Sequence, residues 1–355
     1  MGSTVYKKIE DYLMDIIQKN FQISDYQLPS ERALCATFNS SRKPVRRAYD
    51  KLIQQGLVYN IHGKGYFISS QAIHNALVQP FSSNPKIALI IPSVTSQFCH
   101  DILTGISDFC SSHQMELVIC VSDNSPEKEA RLLSSIPASK AKGIILFPVD
   151  HDETYHNEPL KLPIRKYPLV LVDRMLPNIR ASFISSENHQ AMVNAVEFLY
   201  KKGFQRIVYV TPPSSRASTL DARINGFTHG LLRYYKMATP QNLLVLDGDF
   251  QEMKESTIKY LQKYSDVELI IVSGSMRLPI YKAAEELNIK IPDDLKLMMF
   301  DDELSPTERN TLKPYVIKQD GYQIGYLAAE SLYNQIWGDT RPTTQKLPVT
   351  IAEFS

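Results

Sequence analysis

Leu28-Pro29-Ser30-Glu31-Arg32-Ala33-Leu34-Cys35-Ala36-Thr37-Phe38-Asn39-Ser40-Ser41-Arg42-Lys43-Pro44-Val45-Arg46-Arg47-Ala48-Tyr49-Asp50-Lys51-Leu52 decides the fold of the chain's first part. Ser30 suits the cap of a helix that begins at Glu31. Ser41 suits the cap of a second that begins at Arg42, with Pro44 tolerated in its first turn. An Asn39-Ser40 turn separates them. Ala33, Leu34, Phe38, Val45, Ala48 and Leu52 recur at helical spacing, and within residues 32–51 six cations, Arg32, Arg42, Lys43, Arg46, Arg47 and Lys51, stand against one acid, Asp50. A helix pair with one apolar and one cationic face suits a polyanion. In a helix-turn-helix the second helix offers its first turns to base edges in the major groove.

The flanks complete a module. Val5, Ile9, Leu13, Ile16 and Ile17 form one helical stripe upstream. Downstream, Gly56 ends the second helix of the pair. Leu57–Ile61, the turn His62-Gly63-Lys64-Gly65 and Tyr66–Ile68 read as a β-hairpin wing. The order is that of a winged helix-turn-helix. Leu28–Arg32, Ser41-Arg42 with Val45-Arg46, Gly56-Leu57-Val58 and Gly63-Lys64-Gly65 resemble the GntR-type winged-helix domain over roughly residues 3–69. The resemblance implies DNA contacts from Arg32, Ser41, Arg42, Arg46, His62 and Gly63, with Arg47 and Lys64 adding charge beside them. Where relatives carry threonines after the Ser-Arg pair, this chain has Lys43-Pro44, so Lys43 takes over the phosphate contact as a point charge. A basic cluster alone is more often a solvated helix face. Here caps, turn and wing coincide with it, and residues 1–69 hold 10 Lys+Arg against 6 Asp+Glu, a net +4 within a chain of net +1.

With 355 residues, 43% of them hydrophobic and 22% charged, the chain is long enough for several globular cores. No apolar run is long enough to span a bilayer, and the first residues lack a signal-peptide pattern, so a cytoplasmic protein is expected. Cys35, Cys99, Cys110 and Cys120 show neither metal nor framework spacing, which implies reduced structural thiols and no zinc. His151 and His156 lie among Asp150, Asp152 and Glu153 without the spacing of a metal site, and read as a solvated loop. No cofactor is implied. Residues 70–85 read as a linker between domains at 1–69 and 86–355.

Beyond Lys86, Ile87–Ile91, Leu117–Val121, Gly143–Phe147, Leu169–Val172, Ile207–Val210, Leu243–Leu246, Leu269–Val272 and Leu297–Phe300 read as buried strands alternating with helices. That pattern means an α/β fold with parallel sheets, here two lobes with a cleft. Ligands of such folds collect at the carboxyl ends of strands. Ser93, Asp173, Arg174, Ser273 and Asp301 follow strands, and Arg223 sits early in a helix after one. Carboxylates, a guanidinium and hydroxyls suit a polyhydroxylated ligand.

Lys86–Pro92, Pro168–Arg174, Arg223–Phe227, Ile291–Asp294 and Met298–Asp302, ending in Lys318-Gln319-Asp320 before a helix, resemble the effector domain of LacI-type repressors and type I periplasmic sugar-binding proteins. The resemblance implies sugar contacts from Asp173, Arg223 and Asp301, with Ser93 and Phe98 beside them. Phe98 reads either as a stacking platform or as core; Arg174 either binds ligand or pairs with an acid. Trp337 reads as packing or interface. Ser273-Gly274-Ser275 departs from the Asn-Asp pair common in relatives, which implies a sugar with fewer hydroxyls on that side, a pentose or deoxy-hexose. A GntR-type reader joined to a LacI-type sensor resembles the arabinose-repressor architecture. It implies a homodimeric repressor that reads palindromic operator DNA and responds to a small sugar. A purine, amino acid or sugar phosphate remains an alternative effector. A carbohydrate-modifying enzyme remains an alternative class, although no nucleophile elbow or phosphate-cradling Gly loop is present. The pair Asp301-Asp302 is not expected to share a site, since neighbours on a strand face opposite ways.

Overall fold

The computed structural model describes residues 5–20, 26–54, 56–61, 63–69, 84–149, 167–176, 179–213, 218–338 and 341–354. It comprises two compact units, Met1–Asn84 and Pro85–Ser355. His62, His151, His156 and residues 70–83 lie outside the described residues.

The first unit packs α1 (Val5–Asn20), α2 (Glu31–Thr37) and α3 (Arg42–Gln54) with the hairpin β1 (Val58–Ile61) and β2 (Gly65–Ile68). Ile9, Leu13 and Ile17 of α1 meet Leu34, Val45, Ala48, Tyr49, Leu52, Val58 and Ile68 in one core. Val5, expected on the same stripe, is 44% exposed, one turn short of the core. A seven-residue helix such as α2 has too few hydrogen bonds to hold itself. The Ser30 hydroxyl accepts from the Ala33 amide at 3.2 Å, and Leu34, 1% exposed, contributes about 1.5–3 kcal/mol by burial. Asn39 turns between α2 and α3 at φ +44, and Gly56 leaves α3 at φ +70, a conformation that favours glycine.

The second unit holds two six-stranded sheets. The first runs β13 (Thr344–Leu347), β7 (Ser182–Ser186), β6 (Leu169–Val172), β5 (Ile144–Leu146), β3 (Lys86–Ile91), β4 (Glu116–Val121). The second runs β14 (Thr350–Glu353), β12 (Tyr315–Lys318), β11 (Lys296–Phe300), β10 (Leu269–Ser273), β8 (Ile207–Thr211), β9 (Leu243–Val245). Within this unit the described pairings are parallel except β12 with β14, so the second sheet is mixed at one edge rather than wholly parallel.

Helices cover both faces. Those that matter for the cleft are α4 (Gln97–Ser112), α6 (Asn188–Lys201), α7 (Ser218–Tyr234), α9 (Arg277–Glu286) and α11 (Gly321–Trp337), with α5 (Pro126–Ser139), α8 (Phe250–Lys263) and α10 (Pro306–Leu312) between them. The chain crosses between lobes three times. It leaves β7 for α6, whose Ala191, Met192 and Val196 pack in the second lobe. It leaves β12 for α11, whose Ile324, Ala328 and Leu332 return to the core of the first. Finally β13 leads directly into β14. Helices α4 and α11 approach closely because Gly105 and Gly325 carry no side chain: a Cβ at either would run into the opposite backbone.

The two sheets are built alike, and β6 occupies in one the place of β11 in the other. Their next residues repeat as well. Asp173 and Asp301 both take a left-handed turn, at φ +61 and +73, and each amide donates to the next strand over, to Ile184 and Ile317 carbonyls at 2.9 Å.

Candidate nucleic-acid interface and ligand cleft

In the first unit Arg32, Ser41, Arg42, Lys43, Arg46, Arg47, Gly63 and Lys64 are all exposed. Arg42 and Arg46 lie four residues apart on α3, one above the other on a single face. Glu31 at the start of α2 organises the most central of them. The Arg46 Nε donates to both Glu31 carboxylate oxygens at 3.1 and 3.0 Å, and the Tyr66 hydroxyl of the wing donates to Glu31 Oε1 at 2.9 Å. Tyr66 in turn stacks on Tyr49 of α3, with ring centroids 3.7 Å apart. One carboxylate thus joins both helices and the wing. Glu31 occupies Nε and leaves the outer Nη edge of Arg46 for another partner. Arg47 is held differently, its guanidinium 4.9 Å over the Tyr6 ring of α1. Gln27 ties the wing turn to the start of α2 through a 2.7 Å bond to the Lys64 carbonyl.

Ser93, Phe98, Asp173, Arg174, Arg223, Ser273 and Asp301 all line one cleft of about 710 Å³ between the lobes of the second unit. That is within the range of small-molecule sites. Asp301 lies at its floor, where Gln319 Nε2 donates to both carboxylate oxygens at 2.9 and 3.1 Å. Burial pushes the Asp301 carboxyl up to about 6, against the opposing pull of the Arg223 guanidinium and the Gln319 bond. Arg223 itself is 7% exposed, lies 3.5 Å over the Phe300 ring, and donates from Nε to Asn188 Oδ1 at 2.7 Å. It is fixed on two sides before any ligand arrives.

Arg174 both lines the cleft and pairs: its Nη1 donates to the Pro148 carbonyl at 3.0 Å, and its Nε stands 3.8 Å from Asp173. Phe98 likewise combines both readings, packing against the first-lobe core, edge-on to Phe147 at 6.2 Å, while facing the cleft. Trp337 is 48% exposed and packs on Tyr333, 4.5 Å away, at the end of α11.

The expectation that Asp301 and Asp302 do not share a site is overturned, since both line the cleft. The reason is local. Asp301 lies just past β11 with positive φ, so strand alternation no longer governs it. Asp302 is paired by Arg309 at 3.0 Å. Sequence reading gave no site role to Arg277, Glu303 or Gln319, which also line the cleft. Gln319 follows β12, so the rule that ligands sit past strand ends would have found it had β12 been recognised; Arg277 lies four residues past the recognised β10, at the start of α9.

Among the described residues no three His, Cys, Asp or Glu side chains are grouped as a metal site, and no helix is long and apolar enough to cross a membrane. The four cysteines are free.

Known proteins carry both halves. Residues 3–68 match the family model of bacterial regulatory proteins of the gntR family, and residues 196–353 that of the periplasmic binding protein-like domain. The HTH-type transcriptional regulator KdgR of Bacillus subtilis is 25% identical over 267 residues, 71% of this chain and 74% of its own. The arabinose metabolism transcriptional repressor of Halalkalibacterium halodurans is 20% identical over 305 residues, 84% of this chain and 80% of its own. The solved complex of the transcriptional regulator CelR with cellobiose has the same fold, with a TM-score of 0.65, 18% identity and full coverage of both chains. The chain is therefore a DNA-binding transcriptional regulator, not an enzyme. Its reader is a GntR-type winged helix and its effector domain is of the periplasmic-binding-protein type.

Proposed function

We propose that the chain is a repressor whose hold on operator DNA is released by a small sugar bound between the lobes of residues 86–355. The observation that carries this reading is the convergence of Asp173, Arg223 and Asp301 from both lobes on one cleft, with Arg223 and Asp301 oriented by buried partners. Ionised groups held this way make the strong, directional hydrogen bonds that a diol needs. The four arginines of the cleft, Arg174, Arg223, Arg277 and Arg309, face four acids, Asp173, Asp301, Asp302 and Glu303. A doubly charged sugar phosphate would upset that balance more than a neutral or singly charged sugar. Ser273, standing where the resemblance to LacI-type effector domains implies a carboxamide, favours a pentose or deoxy-hexose over glucose and galactose, and the arabinose repressor among the relatives supports the class.

Arg32, Ser41, Arg42, Lys43, Arg46, Arg47, His62, Gly63 and Lys64 then form the face toward DNA, with Arg46 reading a base and Lys43 a phosphate. A homodimer in the cytoplasm, each copy taking one half of a palindromic operator, is the assembly this reader suits. A panel of arabinose, fucose, glucose and galactose, each tested for a rise in melting temperature and for release of operator duplex in a mobility assay, decides it. We expect a pentose or deoxy-hexose to do both. Tighter binding of glucose than of every pentose and deoxy-hexose removes the preference, and responses only to purines, amino acids or sugar phosphates remove the sugar.

A further inference from the structure

The polar groups of the cleft are unevenly used. At its floor, acceptors dominate: Asp173, Asp301 and the Gln319 Oε1, which is buried without a hydrogen-bond partner among the described residues. At the end of β10 the balance reverses. The Ser273 hydroxyl and the Arg277 Nε are both buried there, and neither has a hydrogen-bond partner among the described residues. Buried polar groups left this way are rare in native folds and mark a place where something else completes the bonding.

Arg277 also differs from its fellow arginines. Arg309 is held by both oxygens of Asp302 at 3.0 Å, and Arg223 by Asn188. The protein hydrogen bond of Arg277 runs from Nη1 to the Gly274 carbonyl at 3.3 Å. Glu303, the acid at this end, stands 3.6 Å from Nη1, an ion pair too long for a hydrogen bond, and the Arg277 side chain is only 17% exposed. A guanidinium has five donors on two edges, so one carboxylate on one edge leaves room for a second on the other.

The geometry points to an effector that carries a carboxylate, a sugar acid, seated with its hydroxyls on Asp173, Asp301 and Gln319 and its carboxylate oxygens on Ser273 and Arg277. This rests on the proposal that a sugar occupies the cleft. It refines the meaning of Ser273: the ligand group on that side has no hydroxyl protons to place, only lone pairs. A carboxylate is acceptor-only and can take a donor on each of its two oxygens, which suits a hydroxyl and a guanidinium Nε side by side. The rival arrangement is a neutral hydroxyl that accepts from Arg277 and donates to Glu303.

The test uses the full chain and calorimetry at neutral pH, with arabinonate, gluconate, galacturonate and glucuronate each set beside its neutral parent sugar and the phosphate of that parent. At least one acid is expected to bind roughly tenfold or more tighter than its neutral parent and its phosphate. Arg277→Gln should weaken that acid roughly 10- to 100-fold and its neutral parent far less, while operator binding and melting temperature report that the variant is folded. Equal affinity for acid and parent, or an equal loss of both in Arg277→Gln, establishes the neutral rival and overturns the carboxylate. Tighter binding of a phosphate overturns it as well. If only neutral sugars bind, the sugar reading stands and this inference fails; if no carbohydrate binds, charged or neutral, both fail together.

Discussion

Asp301 combines three costs in one residue: a left-handed backbone, burial of a carboxyl, and a place beside a second acid, Asp173. Asp tolerates positive φ better than most side chains, yet such turns persist only where the surroundings impose them. Its partner across the pseudo-repeat, Asp173, bears the same backbone at the same position of the other sheet. Two acids held alike in both lobes are the signature of a site that trades stability for binding. The pH consequence follows in sign. Burial raises the folded value to about 6 from an ordinary 3.8, so the fold is favoured while the group is protonated and loses stability as pH rises from about 4 through 6. Asp301→Asn removes the ionised form. It should raise stability at pH 7.5 by at most about 3 kcal/mol, less whatever Arg223 loses and whatever water screens through the open cleft. The gain should vanish near pH 4, and the variant should show no sugar-induced shift. Denaturant melts across pH check this; an unchanged midpoint at pH 7.5 would mean that the carboxyl is not penalised as its surroundings imply.

At the scale of elements, the winged helix was the most legible part, because caps, turn and helical spacing are local features. Ser30 does cap α2, and Gly56 does leave α3 at positive φ. The eight strands read from apolar runs are all present. Four others escaped, each for a physical reason. Ser182-Phe183-Ile184-Ser185-Ser186 has three serines yet is wholly buried: Gln335 Nε2 and the Thr343 amide donate to Ser182 Oγ at 3.0 and 3.1 Å, Ser185 Oγ donates to the Ser186 carbonyl at 3.4 Å, and Ser186 Oγ has no hydrogen-bond partner among the described residues. The strand at Tyr315–Lys318 offers a run of only three apolar residues between Pro314 and the exposed Lys318, and the last two strands belong to edges where the pattern is mostly exposed. Missing β12 hid the place of Gln319 at a strand end of the cleft. Nor does local sequence show that Glu31 joins α2, α3 and the wing, since its partners Arg46 and Tyr66 lie 15 and 35 residues away. That junction carries a prediction. Exposed ion pairs contribute little to stability, about 0–1 kcal/mol, so Glu31→Gln should barely lower the melting temperature. It should nonetheless weaken specific operator binding by about 1–2 kcal/mol, because Arg46 and the wing lose their common anchor, and Arg46→Ala should cost about 1–3 kcal/mol at one base position. Lys43→Ala should weaken all duplexes alike. Equal losses on specific and random duplex for Glu31→Gln and Arg46→Ala would remove Arg46 from the base-reading set.

Over the whole molecule, the three crossings between lobes are the segments any closure must bend, and one of them begins beside the ligand cleft. Gln319 ends the run from β12 and clamps Asp301, and two residues later α11 sets out for the first lobe. A ligand that engages Asp301 therefore competes for, or reinforces, a contact at the root of a crossing. A ligand shifts a conformational equilibrium only by its difference in affinity for the two states. If sugar favours a state in which the paired readers no longer fit their half-sites, linkage fixes both directions: the factor by which sugar weakens operator binding equals that by which operator weakens sugar binding. Couplings of this kind are typically about 1–3 kcal/mol, or about 5- to 150-fold. The same factor should appear in two independent titrations, operator binding with and without saturating effector and effector binding with and without saturating operator. Gln319→Ala should shrink that factor more than it lowers effector affinity in the absence of DNA, because it loosens the crossing as well as the carboxyl. Measured factors that agree but are unaffected by Gln319→Ala would place the coupling in another crossing, and a factor of one in both directions would mean that the cleft does not control the reader.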